Sequence, residues 1–276
     1  MAGTGLSILV LTRDEEANLP VLLASAEGLG AAFVIVDSGS TDRTVAIAEA
    51  AGCRVVYHPW ETYAAQLNWA IEHAGITTPW VMRMDADERF TPELVAEMRG
   101  MLAMLPDAVT GLLVKRQVWF WGRWIRHGGY YPIWLLRVWR SGRARCEQRW
   151  MDEHMVVDGG EVRRFSHDII DENHKGLTFW TDKHNRYADR EVRDILSGET
   201  AGGGELAGQA GRTRWLKGNV YLRAPMFLRA FLYWFYRYVL RLGFLDGRAG
   251  LVFHFLQGFW YRFLVDAKLH EARRGR

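Results

Sequence analysis

The triplet Asp85-Ala86-Asp87 carries the clearest chemical signal in this chain. It directly follows the apolar run at residues 80–84, which predicts a buried strand, so both carboxylates leave the sheet at one end of that strand. Residues at positions i and i+2 can then reach the same cavity. Their oxygens suit Mg²⁺ or Mn²⁺, ions that can bridge a diphosphate. The structural alternative is an acidic turn ahead of a helix that begins at Thr91-Pro92.

Two more polar segments follow apolar runs. Residues 12–15 (Thr-Arg-Asp-Glu) end a run that begins at Leu6, and residues 37–42 (Asp-Ser-Gly-Ser-Thr-Asp) follow a run at 33–36. The last three residues of the second segment can cap the next helix, which gives them a structural explanation. Asp37 has no such task, and its carboxylate can accept hydrogen bonds from a base or a ribose.

Strands and helices alternate over the first hundred residues, and this alternation positions the three polar segments. Strands are predicted at Leu6–Thr12, 33–36, Arg54–Tyr57 and 80–84, and helices at 15–29, 42–51, 62–74 and 92–105. Such alternation predicts βαβ units and a parallel sheet. Ligands of these sheets bind outside the carboxyl ends of the strands. We therefore expect the three segments to meet at one edge of the sheet.

The pattern changes after the first hundred residues. Residues 110–165 have short strand-like runs and aromatic loops, and residues 174–196 have a helical pattern. Residues 197–211 contain six glycines, which predicts a flexible linker. The expected domains are therefore 1–196, with halves 1–105 and 106–196, then the linker 197–211 and a C-terminal region 212–276.

Composition indicates a folded protein with an unusual C-terminal region. The chain has 276 residues, of which 49% are hydrophobic and 24% charged, so it is not a disordered sequence. Cys53 and Cys146 are expected to be reduced thiols. Residues 212–276 hold 13 basic and 3 acidic side chains and 16 of the 36 aromatics. We expect neither a signal peptide nor a membrane-spanning helix, since no apolar run reaches about 20 residues.

Three motifs in this order and spacing resemble one enzyme family. They are residues 12–19 (Thr-Arg-Asp-Glu-Glu-Ala-Asn-Leu), 36–42 and 84–88 (Met-Asp-Ala-Asp-Glu). Together they resemble the family 2 inverting glycosyltransferases of GT-A fold, in the branch that makes lipopolysaccharide core and exopolysaccharide. The resemblance covers about residues 5–195. It implies an α/β fold, with a Rossmann-like, mostly parallel sheet flanked by helices.

The implied activity is transfer of a hexose from a nucleotide-diphosphate sugar, with uridine the preferred base, to a lipid-linked or glycan acceptor. By position, the family implies that Thr12, Glu15 and Asp37 line the nucleoside pocket. Asp85 would contact the nucleotide, and Asp87 would hold a divalent metal, Mg²⁺ or Mn²⁺.

Four further residues have weaker support from the resemblance. Gln66 and Asn68 lie on a predicted helix that commonly approaches the donor, although a solvated helix face explains them equally well. His167 resembles a histidine that completes the metal or diphosphate site. Lys183 could contact phosphate, with a surface lysine as the alternative.

The family also implies a catalytic base in a short acidic motif beyond the first half of the sheet. Residues 150–154 (Trp-Met-Asp-Glu-His) match it best. Glu153 aligns with the glutamate of a His-Glu pair, whereas Asp152 stands where the histidine would be. Glu153 is therefore the first candidate, Asp152 the second, and a structural pair the third. An aromatic loop with Trp119, Trp121 and Trp124 could stack on the acceptor sugar, pack in the core or contact a membrane.

The C-terminal region predicts an amphipathic helical hairpin, with helices at 225–242 and 249–267 around a turn at 244–247. Four arginines in or just before the first helix fall within a sector of about 120°; they are Arg223, Arg229, Arg237 and Arg241. This pattern predicts helices in the headgroup region of an anionic membrane, with the arginines at lipid phosphates. The expected location is the cytoplasmic face of the bacterial inner membrane. The alternative is a core hairpin, and nucleic-acid binding is not expected.

Two other functions compete with glycosyl transfer. A sugar-nucleotide pyrophosphorylase shares a similar α/β half, but it needs a glycine-rich loop after the first strand, where this chain has residues 12–15. A non-catalytic, membrane-associated nucleotide-binding protein would be expected to lose the acidic residues, yet all of them are present.

Overall fold

The computed structural model describes residues 4–148, 153–197 and 208–275. Within these residues the chain forms two compact units. The first, here called the sheet unit, comprises residues 4–116, 134–148 and 153–174. The second, the helical unit, comprises residues 117–133, 175–197 and 208–275. Each unit has its own apolar cores.

The sheet unit opens with the alternating strands and helices that the sequence predicts. The strands are β1 (Leu6–Thr12), β2 (Ala32–Asp37), β3 (Arg54–Tyr57) and β4 (Trp80–Asp85), and the helices are α1 (Leu19–Ser25), α2 (Thr44–Ala50), α3 (Tyr63–His73) and α4 (Pro92–Met101). The first four strands pair in parallel in the order β3-β2-β1-β4. Helix α1 begins four residues later than predicted, because residues 15–18 form a turn in which the amide of Asn18 bonds the carbonyl of Glu15.

The same sheet continues with strands from later in the chain. They are β5 (Glu88–Phe90), β6 (Val109–Phe120), β8 (Ile133–Arg140) and β11 (Glu161–Asp171), with β7 (Arg123–Trp124) paired to the end of β6. The full order is β3-β2-β1-β4-β8-β6-β11-β5. Strands β9 (Ala144–Cys146) and β10 (Met155–Val157) form a separate antiparallel hairpin. The predicted α/β class with a mostly parallel first half is confirmed.

Apolar layers cover both faces of the parallel strands. On one face, Ile8 and Met82 pack with Leu22 of α1 and Leu94 of α4. On the other, Leu67 of α3 belongs to a cluster with Leu9, Val34 and Trp139. Both Cys53 and Cys146 are free thiols, as predicted. Because helices cover the two faces, a ligand can reach this part of the sheet at the strand ends.

The helical unit contains long helices with short π-helical segments. They are α5 (Gly176–Ser197), α6 (Gly208–Leu216) with Lys217–Tyr221, α7 (Leu228–Phe235) with Tyr236–Leu240, a 3₁₀ turn (Gly243–Asp246), and α8 (Gly247–Phe253), which continues through His254–Trp260 into α9 (Tyr261–Arg274). The predicted C-terminal hairpin is therefore present. Of the predicted linker 197–211, residues 198–207 lie outside the described residues and Gly208 begins α6. No helix within the described parts of the chain is long and apolar enough to cross a bilayer.

Candidate active site

The carboxyl ends of β1, β2 and β4 bring three of the predicted donor residues together. The strand register places Thr12 opposite Asp37 and Leu11 opposite Asp85. The Thr12 hydroxyl donates a hydrogen bond of 3.0 Å to Oδ2 of Asp37. The predicted clustering at this edge is therefore what the sheet topology produces.

Asp37 organises the loop that follows β2. Its Oδ1 accepts from the amides of Gly39 (2.9 Å) and Ser40 (2.8 Å), and its Oδ2 accepts from the hydroxyls of Thr12 and Ser40. Burial alone would raise the pKa of Asp37, but these hydrogen bonds outweigh it and the pKa is lowered. A carboxylate offers about four lone-pair positions, and these donors occupy them. Asp37 thus fixes the backbone of this loop.

Asp85 lies in a positively charged environment at the end of β4. It accepts a hydrogen bond of 2.9 Å from the hydroxyl of Tyr63, and it pairs with Arg83 at 3.5 Å and with Arg137 at 3.2 Å. Burial opposes ionisation, but the two guanidinium groups and the tyrosine outweigh it and hold the pKa of Asp85 well below its usual range. Asp85 is therefore an ionised carboxylate held by protein groups.

Glu88 and Arg137 form a buried pair beside Asp85. Arg137 lies on β8, and its guanidinium binds the carboxylates of both Glu88 and Asp85. Oε2 of Glu88 accepts from the backbone amide of Asp85 at 2.9 Å, so this pair fixes the start of the acidic turn. Burial, together with the charges of Asp85 and Asp171, raises the pKa of Glu88 to about 8, although Arg137 opposes the shift.

Asp87 is linked to the β1 loop by a chain of hydrogen bonds. Its Oδ2 accepts from the side-chain amide of Asn173 at 2.9 Å. The next residue, His174, donates its backbone amide to Asn18 at 2.8 Å, and Asn18 donates to Glu15 at the same distance. Glu15 and Asp87, both predicted donor-site residues, are thus connected at the same edge of the sheet.

The residues around Asp87 fit a divalent cation that a substrate helps to hold. Within the described residues no group of three or more His, Cys, Asp or Glu side chains could hold a metal by itself. Mg²⁺, however, usually keeps waters and binds through one or two carboxylates and substrate phosphates. Asp87 is half-buried, and the neighbouring His174 side chain is exposed. Asp87 can supply the one carboxylate ligand that this mode of Mg²⁺ binding requires.

The side-chain amides of Gln66 and Asn68 have partners within the protein. Gln66 is buried on α3 and bonds both the carbonyl and the ring of His58, at 3.0 and 2.7 Å. Asn68 donates to the carbonyl of Cys146 at 3.0 Å and accepts from its amide at 2.8 Å. Asn68 thereby attaches the β9–β10 hairpin to α3. Neither amide is used in the donor site proposed below.

The β9–β10 hairpin carries Glu153. The amide of Glu147 bonds the carbonyl of His154 at 3.0 Å, which closes the hairpin next to Glu153. Both Glu153 and Arg83 are near enough to Cys146 to act on the pKa of its thiol, which burial raises most. Helix α3, to which Asn68 attaches this hairpin, also carries Tyr63, which donates a hydrogen bond to Asp85. The alternative base, Asp152, lies outside the described residues.

His167 lies at a different place from the one that the resemblance implies. Its ring nitrogen Nδ1 is 2.8 Å from Oε2 of Glu97, on α4. In the strand register, Asp171 of β11 lies opposite Glu88 of β5. The backbone amide of the next residue, Glu172, donates to the carbonyl of Asp87. His167 and Glu172 are five positions apart along an extended chain, so about 16 Å separates their Cα atoms. This corrects the prediction that His167 completes the metal site.

The residues predicted to contact phosphate or the acceptor sugar, Lys183 and the three tryptophans of the aromatic loop, belong to the helical unit. Lys183 lies over the ring of Tyr187 at 5.8 Å. Trp119 and Trp124 face each other across the β6–β7 pair, and Trp121 is 60% exposed at the tip between these strands. An acceptor role for these residues stays a prediction.

Sequence reasoning missed several residues of this edge. Arg137 interrupts the apolar part of β8, a signal that could have found it. Asn173 follows β11, but the strand was expected to end at Phe165, so the rule for strand ends was not applied there. Tyr57, the last residue of β3, pairs with Asp37 and is 66% exposed. Its ring lies beside Gly39, whose φ of 97° suits only glycine.

A comparison with known protein families agrees with this geometry. The model of the family described as glycosyl transferase family 2 matches residues 7–169. The chain belongs to this family. Family membership favours glycosyl transfer over nucleotidyl transfer and over a non-catalytic role.

Family 2 relatives include one that acts in lipopolysaccharide synthesis. The chain is 34% identical over 167 residues to the lipopolysaccharide core biosynthesis glycosyltransferase LpsC of Rhizobium meliloti, a match of 57% of this chain and 58% of the relative. It is also 34% identical over 98 residues to an uncharacterized glycosyltransferase of Rickettsia bellii, covering 36% of this chain and 33% of that protein. The chain therefore spans between a third and three fifths of these curated relatives.

A solved structure shares the fold. Residues 1–349 of S. aureus TarS, in complex with UDP-GlcNAc, superpose with a TM-score of 0.51 at 13% identity, covering 98% of this chain and 92% of that one. At this level of identity the likeness concerns the fold alone.

Proposed function

We propose that this family 2 glycosyltransferase is an inverting, metal-dependent hexosyltransferase. Its donor would be a uridine diphosphate sugar, and its acceptor a lipid-linked, lipopolysaccharide or exopolysaccharide glycan at the cytoplasmic face of a bacterial inner membrane. The observation that carries the proposal is the meeting of Asp85 and Asp87 with the Thr12–Asp37 pair at one sheet edge. The similarity to LpsC supports the class of acceptor.

The nucleoside would lie on the loop after β2. Thr12, Glu15 and Asp37 line this place, and Asp37 holds the amides of Gly39 and Ser40 in position. The exposed ring of Tyr57 stands beside them and offers an aromatic surface on which a base can stack. A planar, uncharged platform next to an ordered backbone suits a pyrimidine ring.

The diphosphate would lie toward the acidic turn. Asp87 is the residue that would ligate Mg²⁺ or Mn²⁺, and the ion would neutralise charge on the leaving diphosphate. Asp85 contributes differently, because Tyr63, Arg83 and Arg137 already surround it. Its role is to contact the nucleotide side and to keep the turn fixed for Asp87.

Glu153 would act as the base. Its carboxylate takes the proton of the acceptor hydroxyl while that oxygen forms a bond to the anomeric carbon, from the face opposite the diphosphate. The bond between this carbon and the diphosphate oxygen breaks, and the configuration inverts. Asp152 is the alternative base, and replacing each residue separately distinguishes them.

Two replacements test the proposal. Asp87→Ala should nearly abolish transfer and should also remove the Mn²⁺-dependent rise in melting temperature that a UDP-sugar gives to the wild type. Full activity of this variant would show that Asp87 is not a ligand.

Glu153→Gln should lower turnover by about 100-fold or more, with little change in donor affinity. Loss of donor binding in this variant, with turnover abolished by Asp152→Asn, would assign the base to Asp152 instead.

A further inference from the structure

The helical unit has cationic side chains inside. Arg229 is 3% exposed, and its guanidinium binds Asp266, which has no exposed surface. Arg262 pairs with Glu191 of α5 at 2.8 Å. Arg237 donates to a backbone carbonyl at 2.7 Å and lies over two tyrosine rings. These contacts correct the prediction that Arg229 and Arg237 point toward lipid phosphates.

The outward side of the first C-terminal helix is apolar instead. Its exposed side chains recur at the spacing i, i+3, i+4 and i+7, which marks one helix face. They are Leu228, Phe231, Leu232 and Phe235, and the exposed Leu240 follows in the π-helical segment. A helix that packs on a soluble core normally turns such a face inward and its charges outward, so this arrangement is inverted.

The second helix and the turn extend the apolar side. Leu251, Phe255 and Phe263 are exposed at a helical spacing, and the Phe263 ring lies 5.0 Å from that of Phe227. At the other end, the exposed turn residues Phe244 and Leu245 join the two helices. We call the exposed apolar residues of the two helices and their turn the apolar face.

Two strained residues display large apolar side chains next to the turn. Leu242 has φ 60° and ψ 28°, and Trp121 has φ 53°, both in the left-handed region that favours glycine. Both side chains are exposed, at 46% and 60%. Arg123, two residues after Trp121, lies against Gly247 beside the turn. Trp121 begins the two-residue turn between β6 and β7, and Leu242 follows the end of the first helix, so both turns require this backbone. Such positions favour glycine or asparagine, so the turns do not explain why large apolar side chains are exposed there.

The charges around the apolar face are positive. Arg241 and Arg248 flank the turn and are exposed. Of the acidic residues in this region, Asp246 and Asp266 are buried, which leaves Glu271 exposed among the described residues. A second copy of the chain would bring like charges together, whereas an anionic lipid surface would attract them.

We propose that the apolar face inserts into the interfacial layer of an anionic lipid membrane, with Leu242 and Trp121 at its leading edge. Aromatic and aliphatic side chains enter the boundary between headgroups and acyl chains, and the exposed arginines bind lipid phosphates beside them. The buried arginines hold the hairpin together from within. This inference identifies the surface behind the membrane location given under Proposed function and rests on that location alone, not on the donor or the metal.

Flotation of the full chain with vesicles tests the inference. Wild type should bind vesicles of phosphatidylcholine with phosphatidylglycerol better than phosphatidylcholine alone, and salt should weaken the binding without abolishing it. Leu242→Gly relieves the strained backbone, so it should keep the melting temperature while lowering vesicle partitioning about fivefold. Leu240→Ser should lower it about tenfold. Met104→Ser is the matched control, because Met104 is 82% exposed in the sheet unit.

Several outcomes would overturn the inference. The first is a wild-type protein that binds neither vesicle type. The second is that the Leu242→Gly and Leu240→Ser variants bind vesicles as well as wild type does. The third is a concentration-dependent dimer of the wild type that these variants abolish. UDP-sugar hydrolysis in water, measured in parallel, should be unchanged in both variants. Its absence in wild type would count against the proposed donor and leave the vesicle result to be judged separately.

Discussion

The pair of Arg229 and Asp266 provides a quantitative test of the helical unit. The Arg229 Nε lies 2.8 and 3.1 Å from the two carboxylate oxygens of Asp266, and a second nitrogen also binds this carboxylate. Asp266 accepts in addition from the amide of Phe227 at 2.7 Å. Both side chains are almost fully buried. Arg229→Met should therefore leave a charge without its counterion in the interior of the unit.

We expect this replacement to lower the free energy of unfolding by about 3–5 kcal/mol, the usual cost of breaking a buried ion pair from one side. Asp266→Leu should lower the free energy of unfolding by a similar amount, because it leaves the Arg229 guanidinium buried without its counterion. The double variant removes both charges, so its cost should be much smaller than the sum of the two single costs. The coupling should then be at least about 2 kcal/mol.

Urea unfolding monitored by circular dichroism and by fluorescence would measure these values. Two probes are needed, because a chain with two units need not unfold in a single transition. At about 2 °C for each kcal/mol, the single variants should also melt roughly 6–10 °C below wild type. Single costs below about 1 kcal/mol that simply add in the double variant would refute the argument. That result would indicate that the Arg229 guanidinium is exposed to solvent.

Three further predictions concern the sheet unit. Tyr57→Ala should weaken UDP binding about tenfold by calorimetry while Tyr57→Phe retains it, since stacking needs the ring and not the hydroxyl; equal affinities would exclude stacking. Asn68→Ala should release the β9–β10 hairpin and lower kcat with an unchanged KM for the donor, whereas a change confined to KM would contradict this role. Asp37→Asn should cost about 1–3 kcal/mol of stability at neutral pH. Because the folded pKa of Asp37 lies below the usual aspartate value of 3.8, this difference should persist above that pH and shrink as the pH falls further. A difference that grows in acid would contradict this prediction.

The donor edge could be predicted because its information is local in sequence. Apolar runs fixed the strands, and polar residues at their ends had to meet once the strands were parallel. Thr12, Asp37 and Asp85 follow from this rule alone. The partners of Asp85 do not, because Tyr63 and Arg137 come from a helix and from a distant antiparallel strand. Strand order across the second half of the sheet is set by pairing that no local pattern reveals.

The hairpin shows the opposite case. The helices and turn were predicted well, but the direction of the arginines was wrong. The region itself holds only three acidic residues, too few to neutralise its arginines. In the structure, Arg262 uses Glu191 from α5, and Arg237 uses a carbonyl and aromatic rings. Helical periodicity gives the faces of a helix, but it does not say which face is turned inward.

The hydrogen bonds of Asp37 affect how an alignment of this family should be interpreted. A carboxylate whose oxygens are filled by Thr12, Gly39 and Ser40 is under selection to fold its own loop. Invariance of this position among homologues would then record the architecture of the loop and carry no information about which base is bound. Residues that vary with donor preference should be sought at neighbouring positions with exposed side chains, of which Tyr57 is the first.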